Sequence, residues 1–324
     1  MQKLLQITTL VAIIFAMSIP SDANAQWPEY TSIGEKNYIE IGGRAFNRPG
    51  TDLDLAILQD ATTAETLFDA NQATAASSAA GIELAYNFTS RYGRFLEFRT
   101  FVGTWDATSI IDGGNIESPL FPGQIADSVN YQYDSQIFSF ELNVKRALRS
   151  GLTFFGGPRY LSFTDEISFV AQDDADVIGG TQPFDLEVRN AIEAKNNLIG
   201  FQAGLRFEKQ ATQHFRGAGF IRTGGYFNPT TVRTFNQSGV VGLPPTTLVA
   251  TENTKATGSF LAEVGGKLYL DLAPNMSVFA GYEGTWIDGV ALAPPSFFTP
   301  DSGEVETANT LFFHAITFGC RFGW

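Results

Sequence analysis

At 324 residues and a formal net charge of −13, the chain lacks the basic face that a nucleic-acid partner requires. Its single cysteine, Cys320, excludes an internal disulfide framework, so stability has to come from packing and backbone hydrogen bonds. The 29 phenylalanines and 32 glycines suit alternating strands, and no run after residue 25 reaches the roughly 18 apolar residues of a membrane-spanning helix.

The first residues place Lys3 before an apolar run from Leu10 to Met17, followed by Pro20 and Ala23-Asn24-Ala25. This is the charged, apolar and small-residue order of a secretory signal peptide, with Ala23 and Ala25 marking the cleavage site. The expected organisation is a signal peptide over 1–25, a short lead over 26–36 and one barrel over 37–324. No cysteine near Gln26 offers a lipid anchor.

Period-two alternation then predicts about ten strands. Asn37 to Asn47 sets Ile39 and Ile41 against Glu40 and Arg44. Gly81 to Phe88 and Arg94 to Trp105 place Ile82, Leu84, Leu96 and Phe98 opposite Glu83, Glu97 and Arg99, across a turn centred at Arg91 that puts Glu83 directly opposite Arg99. Gln136 to Lys145 opposes Phe138, Phe140 and Leu142 to Glu141 and Lys145. The next strand, to about Phe163, has ambiguous faces because Pro158 interrupts it. Leu198 to Phe207 carries Arg206 opposite Phe201 and Leu205, and the segment near Phe215 to Thr223 is Gly-rich and weaker. Phe260 to Leu270 sets Val264 and Leu268 against Glu263 and Lys267, and Ala273-Pro274-Asn275 turns it into Met276 to about Trp286, which carries Glu283.

The last strand gives one face to Ile316, Phe318, Cys320, Phe322 and Trp324, and the other to Thr317, Gly319 and Arg321. It resembles the C-terminal signal of bacterial outer-membrane barrels, which implies that Phe318, Phe322 and Trp324 are read by the barrel-assembly machinery.

Connections alternate in length. Long ones are expected near 48–78, 107–128, 165–195, 228–255 and 289–307, and short ones near 90, 149, 210 and 274. Tight periplasmic turns and extended outer loops have this asymmetry. The fold expected is all-β: an antiparallel transmembrane β-barrel of about ten strands, twelve if a loop hides a hairpin. Residues 51–70, with Leu53, Leu55, Leu58 and Leu67, read as a loop helix rather than a strand pair.

Trp286 to Pro294 (WIDGVALAP), Arg159 to Phe163 (RYLSF), Asn196 to Gly204 (NNLIGFQAG) and the LFFHAITFGCRFGW ending are similar to the Legionella-type major outer-membrane protein family and related planctomycete barrels. The resemblance implies an outer-membrane barrel, pore-forming in some members, and supplies no catalytic residues.

Independent chemistry is sparse. His314 is followed by Ala315 and Ile316 and His214 by Phe215 and Arg216, so neither has a hydroxyl two residues further on and neither reads as the base of a lipid-modifying enzyme. Two distant histidines and Cys320 make no transition-metal set. The 174–185 loop has Asp174, Asp176, Gly179 and Asp185 at calcium-loop offsets but Ile178 at a ligand position, so a solvated acidic loop is the better reading. No catalytic, cofactor or metal site is expected.

What remains is a polar face carrying Glu40, Arg44, Glu83, Glu97, Arg99, Glu141, Lys145, Arg206, Glu263, Lys267, Glu283 and Arg321. Mixed signs inside a barrel must be paired or hydrated. A narrow porin-like pore lined by them is expected, with acidic outer loops (Asp165, Glu166, Asp173, Asp174, Asp176) favouring cations at its mouth. The alternative is a structural or adhesive barrel closed by the same charges. Expected partners are outer-membrane lipids and the assembly machinery.

Overall fold

The computed structural model describes residues 37–48, 56–60, 66–69, 78–89, 95–117, 125–149, 151–173, 186–240, 246–293, 305 and 307–324. Residues 1–36, including Ala23 and Ala25, and the 174–185 loop lie outside them. The strands are β1 (Tyr38–Asn47), β2 (Ala56–Asp60), β3 (Thr66–Asp69), β4 (Ser78–Thr89), β5 (Phe95–Glu117), β6 (Ile125–Arg149), β7 (Leu152–Asp173), β8 (Leu186–Gln210), β9 (Phe215–Val240), β10 (Thr246–Ala273), β11 (Met276–Val290) and β12 (Asn309–Gly323).

Ten of these close a wall in the order β5-β4-β1-β12-β11-β10-β9-β8-β7-β6, with β6 returning to β5. Every pairing is antiparallel, so a transmembrane barrel forms without an edge in lipid. Tight turns join β6 to β7, β8 to β9 and β10 to β11 at the end the sequence assigns to the periplasm.

The outward face is an apolar belt. Phe201 and Leu268 are each 72% exposed, which is tolerable only against lipid. Aromatic side chains rim it: Tyr282 and Phe312 flank His314, Phe260 meets Trp286, and at the opposite rim Tyr86 meets Trp324. His314 therefore sits in an interfacial girdle. Cys320 is a free, partly exposed thiol on the face of β12 that also carries Phe318 and Phe322.

Three expectations need correction. The stretches expected as loops over 107–128, 165–195 and 228–255 are largely strand, because β5 to β10 run on well past the belt. Residues 51–70 hold a strand pair, β2 with β3, rather than a helix. The tip of β5 extends beyond its neighbour β4 and offers unpaired backbone groups, which β2 takes up at Gln59↔Glu117 and Asp60↔Ile116. The twelfth-strand reserve thus applies to the sheet, while the barrel wall has ten. Finally, Ala85, not Glu83, lies opposite Arg99. The turn is centred one residue later than expected, which shifts the register by two and preserves the facing.

Facing changes character along each tall strand. On β6, Phe138, Phe140 and Leu142 point to lipid while Ser139, Glu141 and Asn143 are buried inside. Above Ile137 the pattern inverts: Val129, Tyr131 and Tyr133 are buried, and Asn130 and Gln132 are exposed. The chain keeps one alternation throughout. What changes is the solvent outside, lipid below and water above.

Candidate functional site: the barrel interior

All twelve charged residues singled out in the sequence have their side chains on the inner face, eleven of them buried and Arg206 nearly so. They do not stand as separate linings but join in three groups. In the first, Arg321 Nε donates to Glu40 at 2.6 Å, Tyr269 Oη donates to the same carboxylate at 2.9 Å, and Lys145 pairs with Glu97 beside Tyr38. In the second, Glu83 accepts from Arg44 at 2.6 Å and Arg99 at 2.7 Å, while Arg99 and Arg44 also reach Glu283. Lys267 links these two groups, lying 3.1 Å from both Glu40 and Glu83. In the third, Arg159 meets Glu263 at 2.5 Å, and Arg222 pairs with both Glu141, at 2.7 Å, and Glu263.

These contacts span the barrel rather than follow its wall. Arg99 on β5 and Glu283 on β11 stand four strands apart around the ring, as do Lys267 on β10 and Glu83 on β4. A narrow ten-strand interior lets long side chains meet across its width. Cation–π contacts fill the space between them, with Arg44 over Phe101 at 4.4 Å and Arg321 over Tyr269 at 4.3 Å. A small cavity of about 20 Å³ remains among Glu40, Ala85, Glu97, Arg99, Arg206, Ala218, Phe220 and Lys267, room for a water-sized species.

Sequence reasoning missed Arg159 and Arg222, two of the largest fully buried side chains. Pro158 obscured the parity of β7, and the glycines of β9 weakened its signal. The adjacent Phe154 and Phe155 gave no clue to parity, since the structure turns the first outward and the second inward. Arg48, Asp165 and Arg216 were missed as well. Asp165, expected in an acidic outer loop, is buried on β7, where it accepts from Arg48 at 3.1 Å and from Tyr133. The correction follows from β7 running on through that segment. Glu166 faces outward, and Asp174 and Asp176 lie outside the described residues.

Above the charged band the interior is largely apolar, apart from the Arg48–Asp165 pair and a few asparagines of the wall. Phe46, Phe101, Trp105, Ile137, Leu161, Phe163, Leu198 and Phe313 pack into one cluster, and Val129, Tyr131, Ile167, Phe169 and Ile192 belong to a second. Into these clusters runs Val290–Ala293, the middle of the WIDGVALAP block. Four consecutive residues, Val290, Ala291, Leu292 and Ala293, are 0–1% exposed, which no wall strand allows when one face meets water or lipid. The chain bulges at Gly289, whose φ of +78° and approach to Gly258 O, 2.6 Å from where a Cβ would stand, admit only glycine, and it leaves the wall after Val290, which still pairs with Asn309.

Polar groups of the wall hold this inward strap. Asn196 on β8 donates to Ala291 O at 2.7 Å and accepts from Ala291 N at 2.9 Å. Asp165 on β7 accepts from Ala293 N at 3.0 Å. Asn228 and Ser259 both donate to Gly289 O, at 3.1 and 2.6 Å. The strap thus crosses from β11 to β7, four strands around the ring.

The family model described as "Putative beta barrel porin-7 (BBP7)" matches residues 116–297, more than half of the 324-residue chain. The chain belongs to the beta barrel porin-7 family. That membership and the lipid-facing belt make it an outer-membrane β-barrel. The matched region runs from the tip of β5 through Val290–Ala293, so it includes the segment packed inside the barrel. No curated protein matches the chain.

Among solved structures, the translocator domain of the autotransporter NalP from Neisseria meningitidis is similar over 98% of this chain and 97% of that one, at 10% identity and TM-score 0.39. The outer membrane protease OmpT from Escherichia coli is similar over 92% and 99%, at 10% identity and TM-score 0.36. A FadL homologue from Pseudomonas aeruginosa is similar over 89% and 90%, at 9% identity and TM-score 0.27. Scores of this size carry no argument about activity.

Proposed function

We propose that this porin-7 barrel is a porin-like pore of very small bore, with a charged lumen that passes small solutes slowly and is shut in the conformation described. The observation that carries the proposal is the set of ion pairs between strands four apart, Arg99 with Glu283 and Lys267 with Glu83, which braces the lumen across its width. The likeness of the WIDGVALAP and NNLIGFQAG blocks to the Legionella-type major outer-membrane proteins supports the same reading. Residues 1–25 are then the cleaved signal peptide, outer-membrane lipids surround the belt, and Phe318, Phe322 and Trp324 address the chain to the assembly machinery.

Single-channel recording of the refolded protein in planar bilayers tests the proposal. Small, infrequent steps are expected, with mild cation preference that fades as salt rises, because the potential of the outer carboxylates is screened beyond about 8 Å at physiological ionic strength. A reversal potential favouring anions contradicts the charge argument. A second reading, a non-conducting structural or adhesive barrel, is favoured by the same bracing, and a silent bilayer would select it.

A further inference from the structure

We infer that Val290–Ala293 is a displaceable strap that seals the lumen from the outer side, and that Asn196 is its principal latch. The inference rests on the pore reading for its purpose, but its geometry stands apart from that reading.

The two halves of the interior exclude solute differently. The charged band is polar, and Arg99 Nε and Arg222 Nη2 in it make no hydrogen bond, so water can enter and the pairs can rearrange. The plug above it is mostly apolar, and polar groups within it such as Asp165 and Asn196 are hydrogen-bonded to Arg48 and to the strap. Leu292 and Val290 pack with wall residues such as Leu161, Leu198 and Phe313, and this dry layer is the barrier a hydrated solute meets first from outside.

The strap is built to come out. Its side chains are Val, Ala, Leu and Ala, so release exposes two aliphatic side chains and two methyl groups but no aromatic ring. Its hold is polar and directional. Asn196 reads both the N–H and the C=O of Ala291, as a neighbouring strand would, and Asp165 takes the N–H of Ala293. Asn196 is itself positioned by Asn228, whose Nδ2 donates to its Oδ1 at 3.1 Å, and by Thr230 at 3.3 Å. Gly289 supplies the hinge, since its left-handed backbone makes the bulge that turns the last residue of β11 inward. A segment held by a few directional hydrogen bonds and by the packing of four aliphatic side chains has two states, seated and released, and the latch shifts their ratio.

The test reads outer access to the charged band without relying on current. In a Cys320→Ser background, Ala85→Cys places a thiol at the small cavity of that band, below the plug. The full barrel is reconstituted in oriented proteoliposomes, and Ag⁺, an ion close to water in size, is added on the outer-loop side for timed intervals before the remaining free thiol is counted. Labelling should be slow with the strap intact and about ten-fold faster with Asn196→Ala, the effect of losing roughly one net buried hydrogen bond. Leu292→Asp removes no wall residue and should act in the same direction by making the seated strap bury an unpaired carboxylate. Equal rates in all three, or fast labelling with the strap intact, overturn the inference. Bilayer recording of the same proteins separates the two proposals: faster labelling without current keeps the strap and rejects the pore, whereas current with uniformly slow labelling keeps the pore and rejects the strap.

Discussion

The membrane half and the outer half of this barrel have opposite interiors. Where lipid lies outside, Glu83, Arg99, Glu263 and Arg222 fill the inside; where water lies outside, Leu161, Phe163, Ile167 and Phe169 do. The outer half is therefore an ordinary water-soluble β-barrel with a hydrophobic core, joined strand by strand to an inside-out one. The difference teaches that the alternation of a strand reports two faces and not which of them is interior. That choice belongs to the surrounding solvent.

The contrast can be broken most severely in the charged band. Glu263 accepts from Arg159, Arg222 and Thr285 with its side chain almost wholly buried. Glu263→Leu leaves two buried guanidiniums to share Glu141 alone, and the refolded barrel should lose about 3–5 kcal/mol, read as a lower urea midpoint. A loss below about 1 kcal/mol would mean that the band is wet enough to hydrate them.

In the outer half the corresponding damage is a cavity instead of a stranded charge. Leu161→Ala, at a 0% exposed position, should cost about 2–5 kcal/mol, with the loss independent of salt. The cost of Glu263→Leu should vary with pH and salt, so parallel denaturation series in low and high salt separate the two mechanisms.

A double-mutant cycle sharpens the picture of the band as one network. Glu83 and Arg99 pair at 2.7 Å, but Glu83 also holds Arg44 and Lys267, and Arg99 also holds Glu283. Glu83→Gln and Arg99→Gln should each destabilise, and together should lose less than the sum by about 0.5–3 kcal/mol. Strict additivity would dissolve the network into independent pairs.

The smallest effect lies on the water-facing outer wall. Asp106, Asp134, Glu166 and Glu193 stand directly opposite one another across β5, β6, β7 and β8, and Arg233 follows on β9. Partial burial, then Glu193 and Asp134, push the Glu166 carboxyl above its usual range. A raised carboxyl binds its proton more tightly in the folded state. Its penalty is therefore absent below the ordinary glutamate range and grows as pH rises through the interval up to the raised value. Glu166→Gln should stabilise the barrel by about 0.2–1 kcal/mol at neutral pH and by nothing at low pH. A benefit that persists in acid would show that repulsion is not its source.

Much of the membrane half was legible in the sequence, because lipid imposes a strict rule on one face and the narrow interior another. Glu83 and Lys267 could be assigned inward from their apolar neighbours alone. The short turns were legible too, since Pro274-Asn275 and Ser150-Gly151 carry turn chemistry. The outer half was not. There the outward face is polar, the apolar-out template fails, and β5 to β10 read as loops beyond the belt.

Arg159 illustrates the same boundary. Its charge was visible, but its facing hung on a strand whose parity Pro158 hid, and only its pairing with Glu263 across the barrel fixes it inside. The WIDGVALAP block shows what composition fixes and what it leaves open. Gly289 followed by four apolar residues specifies a break in alternation, hence a departure from the wall. That the departure leads inward depends on Asn196 and Asp165, which lie 95 and 128 residues earlier in the chain and face it only once the barrel has closed. The sequence by itself determined ten alternating strands with a lipid face, because local side-chain period is a local property. Tertiary structure alone decided which charges meet and what closes the lumen, because those contacts join strands that only ring closure brings opposite one another.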